Sequence, residues 1–224
     1  MSKYYKLVLF IRFTGYVIFF TGFFSLLFIL GPLIQVEFNY RLDQLMGVKR
    51  TVPNIITSDS NGSSGSFGNL KTVGETITPI DTNFGIVIEK INANAKVVAN
   101  VDPSSEREYY QALTLGVAHA KGTSLPGEKG NIYLFSHSTD APWNIVRFNA
   151  IFYLLKDLSI GDEIVVFFEN RRHNYVVTDS KIVDSSDVSV LTKGQGTNQE
   201  VLILQTCWPP GTTWKRLLVF AKPR

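Results

Sequence analysis

The chain has 224 residues, 45% of them apolar, a formal charge of +3 and a single cysteine. That length suits one domain with attachments and leaves ample material for a buried core. Its Lys and Arg residues are dispersed rather than gathered into a stripe, which excludes the footprint of nucleic-acid binding, and a lone cysteine excludes an intramolecular disulfide.

The first predicted element is an apolar helix. From Leu7 to Leu30 only Arg12 is ionisable, and at about 1.5 Å per residue such a run crosses a bilayer core of about 30 Å. Arg12 lies near one end, where its long side chain can reach the headgroups. Tyr4 and Tyr5 fall where an interfacial aromatic belt is expected. The run is longer than the core of a signal peptide, about 7–15 residues, and the following Gly31-Pro32-Leu33-Ile34-Gln35-Val36-Glu37 lacks a small-x-small cleavage site. An uncleaved anchor over residues 1–35 is therefore expected. Lys3, Lys6 and Arg12 stand on its amino-terminal side without acidic residues. The positive-inside rule then puts the amino terminus in the cytoplasm and the rest of the chain outside, although Arg41, Lys49 and Arg50 follow on the far side.

Residues 36–81 read as a juxtamembrane stalk and linker. Val36 to Val52 suits a short helix or stalk. Thr57 to Asn69, Thr-Ser-Asp-Ser-Asn-Gly-Ser-Ser-Gly-Ser-Phe-Gly-Asn, cannot bury enough apolar surface to offset its ordering entropy and reads as a flexible tether.

Residues 82–224 form the remaining domain, which shows no internal repeat. Short β-rich runs follow one another between turn residues: Phe84 to Ile91, Asn131 to Phe135, Glu163 to Phe168, Tyr175 to Val183, Val201 to Gln205 and Leu217 to Ala221. Such punctuation predicts an antiparallel sandwich or barrel. Phe152, Leu155 and Leu158 recur at a spacing of three, which predicts a short helix packed on the sheet.

Cys207 follows the run Val201–Thr206 and precedes Trp208-Pro209-Pro210-Gly211, where proline cannot continue a strand interior. A free cysteine is commonly just a small buried apolar residue. A thiol at the mouth of a strand, by contrast, is placed to meet a substrate. His137 ends the run Asn131–Ser136 in a matching position, and an imidazole near a thiol can take and return its proton. Arg216 lies nine positions beyond Cys207 at the start of the next run. A short loop would return it to the thiol, where its permanently charged fork could meet a developing oxyanion.

The stretch Leu204-Gln205-Thr206-Cys207 with downstream Arg216 resembles the sortase signature, a Thr-Leu-x-Thr-Cys strand followed by an arginine. Gly116-Val117-Ala118-His119-Ala120 through Pro126-Gly127-Glu128-Lys129-Gly130-Asn131 is similar to the block leading to that family's catalytic histidine, where His137 falls. Phe152-x-x-Leu155-x-x-Leu158-x-x-Gly161-Asp162-x-Ile164 and Tyr175-x-Val177 match the family's middle section, so the resemblance runs from about Phe84 to Pro223. Ile203 departs from the usual threonine, and Trp208-Pro209-Pro210 makes an unusually bulky wall beside the cysteine. The resemblance implies a mainly β fold, a sortase-like closed β-barrel with short helices behind one transmembrane helix. It implies a cysteine transpeptidase with Cys207, His137 and Arg216 as catalytic residues and Thr206 and Trp208 beside the substrate, while His119 is structural. The implied partners are secreted proteins bearing a Leu-Pro-x-Thr-Gly-like sorting motif and an amine acceptor, a cell-wall precursor or a pilin lysine, with no metal or organic cofactor. Two rivals stand beside this reading. An L,D-transpeptidase would show Ser-x-Gly-Cys and an earlier arginine. A non-catalytic surface β-domain, adhesive or pilin-like, would not need three reactive side chains at strand ends.

Overall fold

The computed structural model describes residues 3–48, 50–52, 76–138, 151–187, 189 and 198–224. The Ser/Gly-rich tether lies outside these described residues. A 44-residue helix, α1 (Lys3–Met46), comes first, and its segment Tyr4–Gly31 is long and apolar enough to cross a membrane. Within that segment the Thr14 and Thr21 hydroxyls donate to the carbonyls of Phe10 and Val17, one turn back. Those bonds hide both polar groups from a hydrocarbon surrounding.

Among the described residues eight strands follow: β1 (Phe84–Ile88), β2 (Ala93–Val101), β3 (Val117–Ala120), β4 (Gly130–Phe135), β5 (Glu163–Phe168), β6 (Arg171–Asp184), β7 (Glu200–Trp208) and β8 (Lys215–Pro223). A second helix, α2 (Glu106–Leu115), joins β2 to β3. The strands close into a barrel in the order β1-β2-β3-β4-β7-β8-β6-β5. The antiparallel expectation needs one correction, because β2–β3 and β4–β7 pair in parallel. The first parallel pair needs a crossover, and α2 supplies it.

Alternation along the strands separates two apolar layers. Ile86, Ile88, Ile132, Leu134, Leu202, Leu204 and Val219 fill the barrel interior. Tyr133, Phe135, Ile203 and Leu218 face outward and are covered by Ala112 and Leu113 of α2. The spacing of three at Phe152, Leu155 and Leu158 belongs to a 3-10 turn, Tyr153–Asp157, rather than to an α-helix. A repeat of three residues stacks these side chains on one edge, and all three are buried in the barrel core.

Chain direction follows from the pairings. β1, β4, β6 and β7 all end at one rim, and β2, β3, β5 and β8 all begin there. We call it the near rim. The stalk residues do not hang free of it. Val36 and Tyr40 pack against the interior core, and Lys156 bridges Glu37 at 3.4 Å. Burial pushes the Glu37 carboxyl up, but Arg41 and Lys156 outweigh it and hold it below the usual carboxylate range. Val52 then packs on the outer face with Ile77, Val87, Val165 and Phe167. Its N–H donates to Glu89 Oε1 at 2.6 Å, and its carbonyl accepts from Arg172 at 2.8 Å. Thr51 is bridged to Thr76.

Candidate active site

β7 runs two residues beyond the apolar stretch read from sequence and takes in Cys207 and Trp208. Within the β7–β8 ladder Cys207 stands directly opposite Arg216. The intervening turn therefore sets Arg216 on the strand beside Cys207. Arg216 Nη1 donates to the carbonyls of Thr213 and Lys215 at 3.0 and 3.1 Å, which braces the group at the strand end.

The parallel β4–β7 pairing supplies the third side chain. Its register runs unbroken from Gly130↔Glu200 to Phe135↔Gln205. The Ser136 N–H continues it by donating to the Gln205 carbonyl at 3.1 Å. Two residues beyond Phe135, the same register sets His137 beside Cys207. Only a parallel pair does this, because an antiparallel partner would carry the histidine to the opposite rim.

Side-chain parity then decides what faces outward. Ile203, Gln205 and Cys207 share the outer face of β7, while Arg216 shares that of β8 with Leu218. His137, Cys207 and Arg216 line one cleft of about 390 Å³ on the outer wall, closed on the far side by α2 with Tyr109 and Leu113. Cys207 is half-buried and His137 is 7% exposed. The ring of Tyr109 meets that of His137 edge to face, with centroids 5.8 Å apart at 70°, and stacks on Phe135 at 6.0 Å.

The same parity turns Thr206 and Trp208 away from the cleft. Thr206 is buried, and its hydroxyl donates to the Ser136 carbonyl at 3.1 Å, clamping β7 to β4 beside the candidate residues. Trp208 packs against the barrel interior. The cleft wall is made instead by Tyr133, Gln205 and Tyr109, none of which the sequence reading singled out. The Tyr133 hydroxyl donates to Gln205 Oε1. Burial, opposed by the nearby Arg216 charge, pushes its pKa well above the ordinary tyrosine value. It therefore stays a neutral donor.

The other histidines stand elsewhere. His119 is fully buried on β3: its Nδ1 accepts from the Asn100 N–H at 3.3 Å and its Nε2 lies 3.0 Å from the Ser124 carbonyl. Burial lowers its pKa, and the bond to Ser124 only partly offsets this. A neutral ring with both nitrogens engaged is structural. His173 lies on β6 opposite Val166, off the cleft. Among the described residues no group of His, Cys, Asp and Glu is arranged to hold a metal ion.

The sortase domain model matches residues 86–224. Sortase D of Bacillus subtilis (strain 168) is 30% identical over 138 residues, a match that spans 60% of this chain and 60% of that relative. Among solved structures, sortase C-1 from Actinomyces oris has a TM-score of 0.53 at 27% identity, covering 65% of this chain and 75% of that one. A Clostridium perfringens Sortase D5 transpeptidase has a TM-score of 0.52 at 24% identity, covering 66% and 82%.

Proposed function

The chain belongs to the sortase family, and from that premise we propose that it is a membrane-anchored cysteine transpeptidase acting on a carboxy-terminal sorting motif. One observation carries the assignment of residues. Cys207 is paired with Arg216 across β7 and β8, and both line a single cleft with His137 at the end of β4.

In this reading the Cys207 sulfur attacks the carbonyl of the motif's threonine and forms the tetrahedral intermediate. Arg216 meets the oxyanion. A guanidinium has five N–H donors, and the two bonds that Nη1 makes to the loop leave donors for a substrate oxygen. His137, protonated, gives its proton to the departing glycine amine as the C–N bond breaks, and a thioester remains on Cys207. An amine acceptor, from a cell-wall precursor or a pilin lysine, then attacks that carbonyl, gives up its proton to His137 and releases the thiolate. The thioester conserves the reactivity of the cleaved amide, so the new bond needs no nucleotide. Water in place of the amine makes the same enzyme a hydrolase.

The proposed organisation is a cytoplasmic amino terminus and anchor over residues 1–35, a stalk and linker over 36–81 and an extracytoplasmic catalytic domain over 82–224. Glu37, Val36 and Tyr40 dock the start of that stalk on the catalytic domain. The test is incubation of the protein with a library of sorting-motif peptides and an amine nucleophile. Transpeptidation product that disappears in Cys207→Ala supports the reading. Full activity in that variant removes it.

A further inference from the structure

The cleft holds a polar pair that the proposed chemistry leaves unused. Tyr133 on β4 and Gln205 on β7 stand on its floor, with Leu113, Ala120 and Phe135 around them. Tyr133 is 3% exposed, and its hydroxyl donates to Gln205 Oε1. Burial keeps the phenol protonated, so its hydrogen stays available for that bond. The bond fixes the carboxamide: with Oε1 turned to the phenol, Nε2 and its two hydrogens face the other way. Among the described residues those hydrogens meet no acceptor. Gln205 is half-buried rather than sealed, so the amide borders the open space of the cleft. A peptide that displaces water there must supply an acceptor or leave a donor unpaired.

Position along β7 says which part of a peptide meets it. Gln205 and Cys207 share the outer face two residues apart, about 6.6 Å along the strand. Cys207, Arg216 and His137 mark the end of the cleft at the near rim, and Gln205 lies inward of them. In the proposed reaction the departing amine leaves, and the acceptor amine enters, on one side of the scissile carbonyl. Both need open space, which the rim end provides. The motif residues before the scissile bond then run inward along the floor. An extended peptide also advances about 3.3 Å per residue. With the threonine carbonyl at Cys207, the residue over Gln205 is the second before threonine, the proline. Proline has a carbonyl and no N–H, so a peptide there offers an acceptor and requires none. A floor that presents donors matches it.

We propose that Gln205, oriented by Tyr133, is a specificity-determining residue that donates a hydrogen bond from Nε2 to the proline carbonyl of the sorting motif. This deepens the proposed function and rests on its assignment of Cys207 as nucleophile. The bond sets the register of the peptide. The threonine carbonyl, rather than a neighbouring one, is then the carbonyl that meets the sulfur and Arg216.

The test is a cycle between protein and substrate. Wild type, Gln205→Leu, Gln205→Glu and Tyr133→Phe are assayed with a Leu-Pro-Ala-Thr-Gly peptide and triglycine as the amine. Three further peptides carry a thiocarbonyl, a weaker acceptor, in place of the leucine, proline or alanine carbonyl. In wild type only the proline thioamide should lower kcat/KM, by about tenfold. Gln205→Leu should lose a similar factor on the parent peptide and no longer distinguish the thioamide. Gln205→Glu keeps an acceptor for the phenol but lacks the donor, so the same loss and the same indifference separate a missing donor from a damaged fold. Tyr133→Phe frees the amide to turn and should retain less than half of the wild-type discrimination. The proposal is overturned by Gln205 variants that keep the wild-type rate, or by an undiminished proline-thioamide effect in any of the three variants. A thioamide effect that falls on leucine or alanine instead also overturns it. In each of these cases acyl-enzyme on Cys207 of the wild type preserves the proposed function. A wild type that forms no acyl-enzyme with this peptide or with the motif library removes both.

Discussion

Replacing Tyr109 by leucine separates positioning of His137 from simple packing. The phenol ring makes two aromatic contacts, an edge-to-face meeting with His137 at 5.8 Å and a stack on Phe135 at 6.0 Å. Each such pair contributes about 0.5–1.5 kcal/mol beyond its area, so Tyr109→Leu should lower unfolding free energy by about 1–3 kcal/mol. The share that orients the imidazole acts on the reaction as well. At 1.36 kcal/mol per factor of ten, loss of the His137 contact alone predicts a fall in kcat/KM of roughly two- to tenfold. Tyr109→Phe keeps both ring contacts and should restore the rate. The measurements are urea unfolding and the pH profile of kcat/KM for all three proteins, with Tyr109→Leu shifting the limb assigned to His137. A leucine variant that loses stability but keeps the wild-type rate and profile would refute a positioning role.

Further predictions follow from the same geometry. Arg216→Lys should cut kcat/KM by about 100-fold or more with little change in folding, since a point ammonium does not reproduce the fork; steady-state kinetics beside a thermal melt checks it. Gly116→Ala should destabilise the α2–β3 junction by about 1–3 kcal/mol, because a Cβ there would lie 2.3 Å from the Lys96 carbonyl oxygen; denaturant unfolding reads this out. His119 has a folded pKa lowered, by burial, from its unfolded 6.5, so the unfolded chain binds the extra proton and stability falls as pH drops below about 6.5. His119→Gln should flatten that slope, and urea midpoints between pH 7.5 and 5 for both proteins test the sign.

Much of the barrel is legible in the sequence, and the parts that are not have identifiable causes. Glu163–Phe168 reads as a strand because Gly161-Asp162 punctuates its start, and the turn that ends it is Glu169-Asn170, both at positive φ. β2 escapes notice because Ala93, Ala95 and Asn94 dilute its alternation, although Val97 and Val101 continue the inward face. α2 carries a capping signature, Ser105-x-x-Glu108, and Ser105 Oγ does accept from the Glu108 N–H. That signal was available and would have brought Tyr109 into view. The assignment of Thr206 and Trp208 to substrate contact fails to use strand parity: if Cys207 faces a cleft, both its neighbours on β7 face the other way. The docking of residues 36–52 has no local sequence signal. It depends on contacts far along the chain: Glu37 meets Lys156, 119 positions on, and Val52 meets Arg172, 120 positions on.

The most direct test of the covalent mechanism is intact-mass analysis of the protein quenched during turnover with a sorting-motif peptide. The account predicts a mass increase equal to the acyl fragment, mapped to Cys207, which is discharged when an amine is added. Product formation without any acyl-enzyme on Cys207, or with undiminished rate in Cys207→Ala, would contradict it.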